Sequence, residues 1–303
     1  MSRSNLASLA AAACLAVTAP SVASVACASG PVQADDRRLW AEIDGDGAPT
    51  VVFEAGGGET SQAWTAIAPA IRAAGATTIV YDRAGLGRSG PTSGPYRIED
   101  EVEGLRGMLT SCGVTGPVIL VAHSYGGFIA LLAAAEDARV AGMVLVDATL
   151  PDYFDEAALA ALLAEFRPQY DAVRQAAPAL AEVLIPIIEA YPQTVDRVRA
   201  AGLPTGLPVT DIVAGDPMPK TPEADDAWRR AHAAFVARGP NREIIVAEGS
   251  GHAINRDRPD VVIAAVLRMV ETVRAARDQA FSDSRKPRIL SSTATGRLVS
   301  RST

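Results

Sequence analysis

The chain has 303 residues, of which 49% are hydrophobic, enough for one large α/β domain or one domain with an insertion. Its formal net charge of −7 and aromatic content of 5% argue against nucleic acid as a partner. With three cysteines and three histidines, none at metal-ligand spacing, we expect no metal and no cofactor.

The first 28 residues are typical of a secretory signal peptide. Arg3 precedes an uncharged, alanine-rich run over 6–17, and Ala26-Cys27-Ala28 fits an A-x-A cleavage pattern. The run is too short and too rich in alanine for a membrane span. We therefore expect a secreted or periplasmic protein whose mature chain is not stably inserted in a membrane.

Two other interpretations of this leader are open. Ser24-Val25-Ala26-Cys27 faintly resembles a bacterial lipoprotein box, but Ser24 stands where a large aliphatic residue is expected. The leader could also be a disordered arm after a misassigned start. Removal of residues 1–28 would leave Cys112 alone, so the mature protein is expected to lack an internal disulfide.

Strands and helices alternate along the rest of the chain. Residues 39–48 suggest a hairpin that turns at 44–47, and Gly56-Gly57-Gly58 follows the buried strand 50–54 directly. Further strands are predicted at 77–82, 118–123, 140–146, 209–214 and 243–247. Helices are predicted at 64–74, 101–112, 128–135, 225–237 and 259–279. This alternation predicts an α/β fold with a mostly parallel sheet.

The stretch 151–207 differs in character from the rest. It contains helical patterns at 157–166, 183–190 and 194–200, repeated prolines and no strand pattern. We interpret it as a helical cap inserted between the two halves of a core at 38–150 and 208–280. Residues 281–303 are polar and basic, which predicts a disordered tail.

Ser124 lies where the apolar strand 118–123 meets an alanine-rich helix. Strand, abrupt serine and helix form the pattern of a nucleophile elbow, whose tight turn needs small residues two positions before and after the serine. Ala122 and Gly126 occupy those positions, and Ala122 departs from the usual glycine by one methyl group. The alternative is a serine that merely caps a buried helix.

A serine nucleophile needs a base within hydrogen-bond reach and a third group that orients the base. His123 precedes Ser124, so its side chain should point away from it, and His232 lies in a polar helical stretch. His252 remains, in a glycine-rich loop after the last strand. In a parallel sheet, residues that follow strands meet at one edge.

Together these motifs resemble the α/β-hydrolase superfamily over residues 38–280. The motifs are Glu54-Ala55-Gly56-Gly57-Gly58, Tyr81-Asp82-Arg83-Ala84-Gly85-Leu86-Gly87-Arg88-Ser89, Ala122-His123-Ser124-Tyr125-Gly126-Gly127 and Gly249-Ser250-Gly251-His252. The resemblance implies an α/β-hydrolase fold with Ser124 as nucleophile and His252 as general base. It also implies an oxyanion hole formed by the backbone N–H groups of Gly57 and Tyr125.

The resemblance leaves two positions for the acid. Asp147 ends the strand after the elbow helix, and Asp216 follows the strand after the cap, although directly after Gly215 rather than two or three residues later. We favour Asp147 and keep Asp216 as the alternative. Asp147 could instead be an N-cap residue at the start of the helical cap. Asp216 could instead form a turn before Pro217.

The resemblance implies hydrolysis of a small or medium carboxylic ester through an acyl-enzyme. A serine nucleophile argues against the epoxide hydrolase and haloalkane dehalogenase branches, which use aspartate. Alternatives are a C–C bond hydrolase or acyltransferase with the same triad, or a non-catalytic ligand-binding protein. The expected partner is a small ester-like molecule, and the sequence does not indicate an oligomeric state.

Overall fold

A computed structural model describes residues 27–92, 94–216 and 221–285. An eight-stranded sheet organises this part of the chain, in the order β1-β2-β4-β3-β5-β6-β7-β8. The strands are β1 Gly30–Ala34, β2 Arg37–Asp44, β3 Thr50–Glu54, β4 Thr77–Asp82, β5 Val118–His123, β6 Val140–Val146, β7 Val209–Ala214 and β8 Arg242–Ala247. The pairs β1–β2 and β2–β4 are antiparallel, and the pairs from β4 through β8 are parallel. The chain therefore has the predicted mostly parallel α/β fold.

Helices cover both faces of the sheet and separate most strands in sequence. They are α1 Ala68–Ala73, α2 Ile98–Ser111, α3 Gly126–Glu136, α4 Glu156–Phe166, α5 Tyr170–Ala176, α6 Pro178–Glu189, α7 Tyr191–Ala201, α8 Pro222–Ala237, α9 Ile254–Asp257 and α10 Pro259–Ser284. One apolar layer packs α2 and α3 against the sheet, and the other packs α1 and α10 against its opposite face. None of the helices in the described ranges is long and apolar enough to cross a membrane.

The central strand β5 shows why the sheet is buried on both sides. All six of its side chains are buried, and its sequence is a run of aliphatic residues that ends in His123. Such continuous apolar runs are typical of parallel strands that helices cover on both faces. The strand delivers Ser124 to the carboxyl edge of the sheet, at its centre.

The segment 147–208 between β6 and β7 is helical, with α4 to α7 and short 3₁₀ turns at Pro151–Tyr153 and Arg167–Gln169. Asp155 caps α4 by accepting from the Ala158 N–H at 2.8 Å. The ring of Tyr191, at the start of α7, packs against Tyr125 and Phe128 of the core, with centroids 5.4 and 5.8 Å apart. This aromatic contact fixes α7 over the helix that follows Ser124.

The predicted opening hairpin was wrong. The structure instead has a hairpin between β1 and β2 that turns at Asp35-Asp36. Asp35 has a φ of 53°, a conformation that aspartate tolerates better than most residues. The segment 44–47 instead leads from β2 towards β3, and β4 lies between these two strands. The folded core therefore begins at Gly30 rather than at residue 38.

In the full chain Cys27 is bonded to Cys112 across 85 residues of sequence, whereas the expectation of no internal disulfide concerned a mature chain without residues 1–28. A leader cut after Ala28 would remove Cys27, so the bond can persist only in a chain that keeps this residue. The rest of the predicted leader, residues 1–26, lies outside the described residues.

The ends of two helices also differ from the predicted ones. The helix predicted at 64–74 is a 3₁₀ turn at Ser61–Trp64 followed by α1, in whose first turn Pro69 lacks an N–H donor. Helix α10 runs to Ser284, past the predicted start of the tail at residue 281. The tail beyond Arg285 lies outside the described residues.

Candidate active site

Ser124 lies in the turn between β5 and α3, and its φ of 52° marks a strained left-handed conformation. A Cβ on Gly126 would lie 2.7 Å from the carbonyl oxygen of Ala55, so only glycine fits there. A Cβ on Gly127 would lie 2.7 Å from the Cβ of Ala148. Ala122 is fully buried in β5, which accommodates its extra methyl group. The turn therefore has the geometry that the elbow pattern predicts.

His252 lies between Ser124 and Asp147. Its Nε2 is 2.9 Å from the Oγ of Ser124, and its Nδ1 is 2.7 Å from the Oδ2 of Asp147. A neutral imidazole with its proton on Nδ1 donates to the carboxylate and accepts from the serine hydroxyl. The structure thus brings together three of the predicted site residues in one hydrogen-bonded chain.

Asp147 is fully buried directly after β6, with a φ of 40°. Its Oδ1 accepts from the Ala214 N–H at 3.1 Å and from the indole Nε1–H of Trp228 at 3.2 Å. Burial alone would raise the pKa of Asp147, but the hydrogen bond and the charge of His252 and the Ala214 N–H hold it below its ordinary value. The carboxylate is therefore ionised beside the imidazole.

The structure does not bring Asp216, the alternative acid, into this chain of hydrogen bonds. Its side chain is exposed, and its backbone N–H donates to the Ser250 carbonyl at 3.0 Å. The Nδ1 of His252 is already bonded to Asp147. The geometry favours Asp147.

The two predicted oxyanion-hole residues lie side by side. A Cβ on Gly57 would be 3.7 Å from the Cβ of Tyr125. Among the hydrogen bonds of the described residues, neither backbone N–H has an acceptor within the protein. Both donors are thus available to a negatively charged oxygen on a reacting carbonyl.

Helix α6, in the helical segment between β6 and β7, covers the loop that contains Gly57. The Cδ1 of Leu184 would be 3.6 Å from a Cβ on Gly57, and that of Leu180 would be 2.9 Å from a Cβ on Gly58. Two apolar side chains therefore lie over the Gly57–Gly58 loop. Leu159 and Leu162 of α4 are partly buried and pack against the core.

His123 is a site residue that sequence analysis missed. Its Nδ1 is 2.8 Å from Glu59 Oε2, and its Nε2 is 3.0 Å from the carbonyl oxygen of His252. The same Glu59 oxygen accepts from the Gly56 N–H at 3.0 Å. Burial raises the pKa of Glu59, but the hydrogen bond and charge of His123 and the Gly56 N–H outweigh it and lower that pKa to about 2. His123 thus connects the loop of the base with the loop of Gly57.

His232 lies in a helix, as predicted, but on the buried face of that helix rather than in polar surroundings. It is fully buried on the inner face of α8, with its Nδ1 2.7 Å from Oδ2 of the fully buried Asp211. This pair fixes the helix that also carries Trp228, the indole donor to Asp147.

No group of three or more His, Cys, Asp or Glu within the described ranges could hold a metal ion.

Comparison with known proteins agrees with this fold. A model of the alpha/beta hydrolase family matches residues 51–265. The uncharacterized protein YqjL of Bacillus subtilis is 26% identical over 224 residues, 73% of this chain and 83% of that protein. Lipase LipV of Mycobacterium tuberculosis is 45% identical over 67 residues, 22% of this chain and 25% of that protein. The crystal structure of a putative ancestral haloalkane dehalogenase superposes with a TM-score of 0.64 at 19% identity, covering 81% of this chain and 99% of that one.

Proposed function

Because the chain belongs to the alpha/beta hydrolase family, we propose that it is a serine hydrolase that cleaves small or medium carboxylic esters through an acyl-enzyme. The observation that carries this proposal is the hydrogen-bonded chain from Ser124 through His252 to Asp147. A serine with a hydrogen-bonded histidine and a buried carboxylate is the arrangement that activates a hydroxyl as a nucleophile.

In the proposed first step, the Oγ of Ser124 attacks the ester carbonyl carbon while His252 Nε2 takes the hydroxyl proton. The negative charge that develops on the carbonyl oxygen is stabilised by the N–H groups of Gly57 and Tyr125. The ionised Asp147 stabilises the imidazolium that forms. The C–O bond then breaks, and His252 gives its proton to the departing alcohol.

In the second half of the reaction, water replaces the alcohol. His252 takes a proton from the water, whose oxygen attacks the acyl carbon, and the tetrahedral intermediate expels Ser124 as the proton returns to its Oγ. The products are a carboxylic acid and the free enzyme. Every proton in this cycle passes through one nitrogen, Nε2 of His252.

The choice of ester is supported by the apolar cover of the site and by the partial likeness to a lipase. Leu180 and Leu184 lie over the Gly57–Gly58 loop, where they would contact the acyl or alcohol part of a substrate. The structural likeness to a haloalkane dehalogenase, at 19% identity, supports a shared fold and does not bear on the substrate. The serine at position 124 favours acyl transfer over the aspartate-dependent chemistry of that branch.

A fluorophosphonate probe tests the proposal, because it reacts covalently with activated serines. We expect labelling of the wild-type protein at Ser124 and none of the Ser124→Ala variant. Ester substrates of increasing acyl length, offered to the same preparation, would then define the substrate class. Unchanged labelling of the alanine variant, or no turnover of any ester, would contradict the proposal.

We also propose that the protein is exported and keeps Cys27 after processing. Disulfides persist in oxidising compartments such as the periplasm or the extracellular space, and the pairing of Cys27 with Cys112 fits such a compartment. A lipid anchor on Cys27 would compete for the same sulfur atom. The intact mass of the secreted protein, with and without reduction, distinguishes these outcomes.

A further inference from the structure

Arg83 follows β4 directly, and its side chain is only 2% exposed. Its Nη1 donates to Glu54 Oε1 and to the carbonyl of Ala55, each at 2.6 Å. Its Nη2 donates to the carbonyls of Gly56 and Gly57 at 2.6 and 2.8 Å. One guanidinium group thus binds three successive carbonyls of the loop that leaves β3.

These contacts set the direction of the Gly57 N–H. The carbonyl of Gly56 and the N–H of Gly57 belong to the same peptide group, and in a trans peptide they point in opposite directions. Because the Gly56 carbonyl points at Arg83, the Gly57 N–H points away from Arg83. Tyr125, the other predicted donor, lies beside Gly57, with its Cβ 3.7 Å from a Cβ built on Gly57.

The charge of Arg83 acts on the same peptide group. A cation bound to a carbonyl polarises the peptide and makes its N–H a stronger donor, particularly in a buried environment. Burial would lower the pKa of Arg83, but the charges of Glu54 and Glu101 raise it above its ordinary value. The guanidinium is therefore a permanent cation beneath this loop.

We propose that Arg83 is a positioning residue for the oxyanion hole, which holds and polarises the peptide group whose N–H at Gly57 receives the developing negative charge. This inference rests on the proposed serine-hydrolase function. Arg83 does not touch the substrate, so its effect is on the transition state and not on substrate binding. Lysine cannot replace it, because one ammonium group cannot span four acceptors in a planar fork.

The first test compares wild type with Arg83→Lys by steady-state ester hydrolysis and by inhibition with an alkylboronic acid, which forms a tetrahedral anionic adduct on serine. We expect kcat to fall by roughly 10- to 100-fold, as for weakening one oxyanion donor, while KM stays within about threefold. The inhibition constant of the boronic acid should rise in parallel with the loss of kcat. A kcat within about threefold of wild type, or a change confined to KM, would overturn the inference.

A second variant covers the case in which Arg83→Lys does not fold. In Glu54→Gln/Arg83→Met both members of the buried Glu54–Arg83 ion pair become neutral. Glu101, whose Oε1 is 3.9 Å from Arg83 Nε, has a pKa that burial raises to about 7, so it can take up a proton when the cation is lost. Its matched control is Glu54→Gln, which keeps the three carbonyl contacts of Arg83. We expect the control to retain most of the wild-type kcat and the double variant to lose it, with circular dichroism confirming that both are folded. Equal kcat values in the two would overturn the inference.

The failure of this inference differs from the failure of the proposed function. Absence of fluorophosphonate labelling at Ser124 in the wild-type protein defeats the proposed function. Normal labelling of the wild-type protein, together with Arg83 variants whose kcat matches that of their controls, defeats only the role of Arg83.

Discussion

Replacing Asp147 by asparagine should lower kcat by about 10³- to 10⁴-fold, the size of the effect when the acid of a serine triad becomes an amide. The substitution is close to isosteric at a fully buried position. The amide oxygen can still accept from the Ala214 N–H and from Trp228, which bond to Oδ1 in the wild type. The amide NH₂ group then faces Nδ1 of His252.

That orientation disables the base. An NH₂ donor facing Nδ1 favours the tautomer with its proton on Nε2, and this nitrogen can no longer accept from Ser124. The imidazolium that forms in the transition state also loses its countercharge. At 1.36 kcal/mol for each factor of ten, the expected loss corresponds to about 4 to 5.5 kcal/mol of transition-state stabilisation.

The assay is pre-steady-state and steady-state hydrolysis of a chromogenic ester, with thermal unfolding as a check on the fold. Asp216→Asn is the matched control, because Asp216 is an exposed aspartate at the end of the neighbouring strand β7. We expect the control to stay within about twofold of wild type, as for a surface substitution. A loss at Asp216 that equals or exceeds the loss at Asp147 would refute the assignment of the acid.

Three further outcomes are expected. Glu59→Gln should destabilise the fold by no more than about 3 kcal/mol at neutral pH, because the pKa of Glu59 is lowered to about 2. The difference in free energy of unfolding between wild type and variant should vanish as the pH falls from about 4.5 towards 2, because Glu59 then becomes protonated in the wild type. A difference that does not change with pH in denaturant unfolding would contradict this prediction. Cys27→Ser/Cys112→Ser should lose about 2 to 4 kcal/mol in the same assay, since the bond closes a long loop, and equal stability would refute the disulfide's contribution. Leu184→Ala should shift the preferred acyl length upwards in kcat/KM, since its Cδ1 lies over Gly57; an unaltered profile would show that this side chain does not contact the acyl group.

The parts of the site that follow strands could be predicted from the sequence. Ser124 is marked by the break from an apolar strand to an alanine-rich helix, and Asp147 and His252 each follow a strand. The carboxyl ends of parallel strands meet at one edge, so the sheet brings these residues together. The choice between Asp147 and Asp216 needed coordinates, because both follow strands that are neighbours in the sheet.

The supporting contacts could not be predicted, because they join residues far apart in sequence through side chains with no pattern. Glu59 meets His123 across 64 residues, and Arg83 reaches back 26 residues to Gly57. In the sequence, Arg83 is one residue of a glycine-rich turn. Its hydrogen bonds in the folded chain show that the guanidinium binds backbone carbonyls.

Strand β1 was missed for a different reason. Its sequence, Gly-Pro-Val-Gln-Ala, has a single β-branched residue and follows directly on the predicted leader. Pairing with β2 and the contact of its buried side chains with the core stabilise it, and neither is visible in a five-residue window. Because the predicted leader included Cys27, the pairing of Cys27 with Cys112 was not predicted either.

Trapping of the acyl-enzyme tests the central claim most directly. The purified protein is mixed with an activated ester, quenched in acid within the first turnovers and analysed by intact mass and peptide mapping. The account predicts a mass increase of one acyl group, located on Ser124, together with a stoichiometric burst of released alcohol. Turnover of the ester without any acylated protein, or acylation at another residue with Ser124→Ala still active, would contradict it.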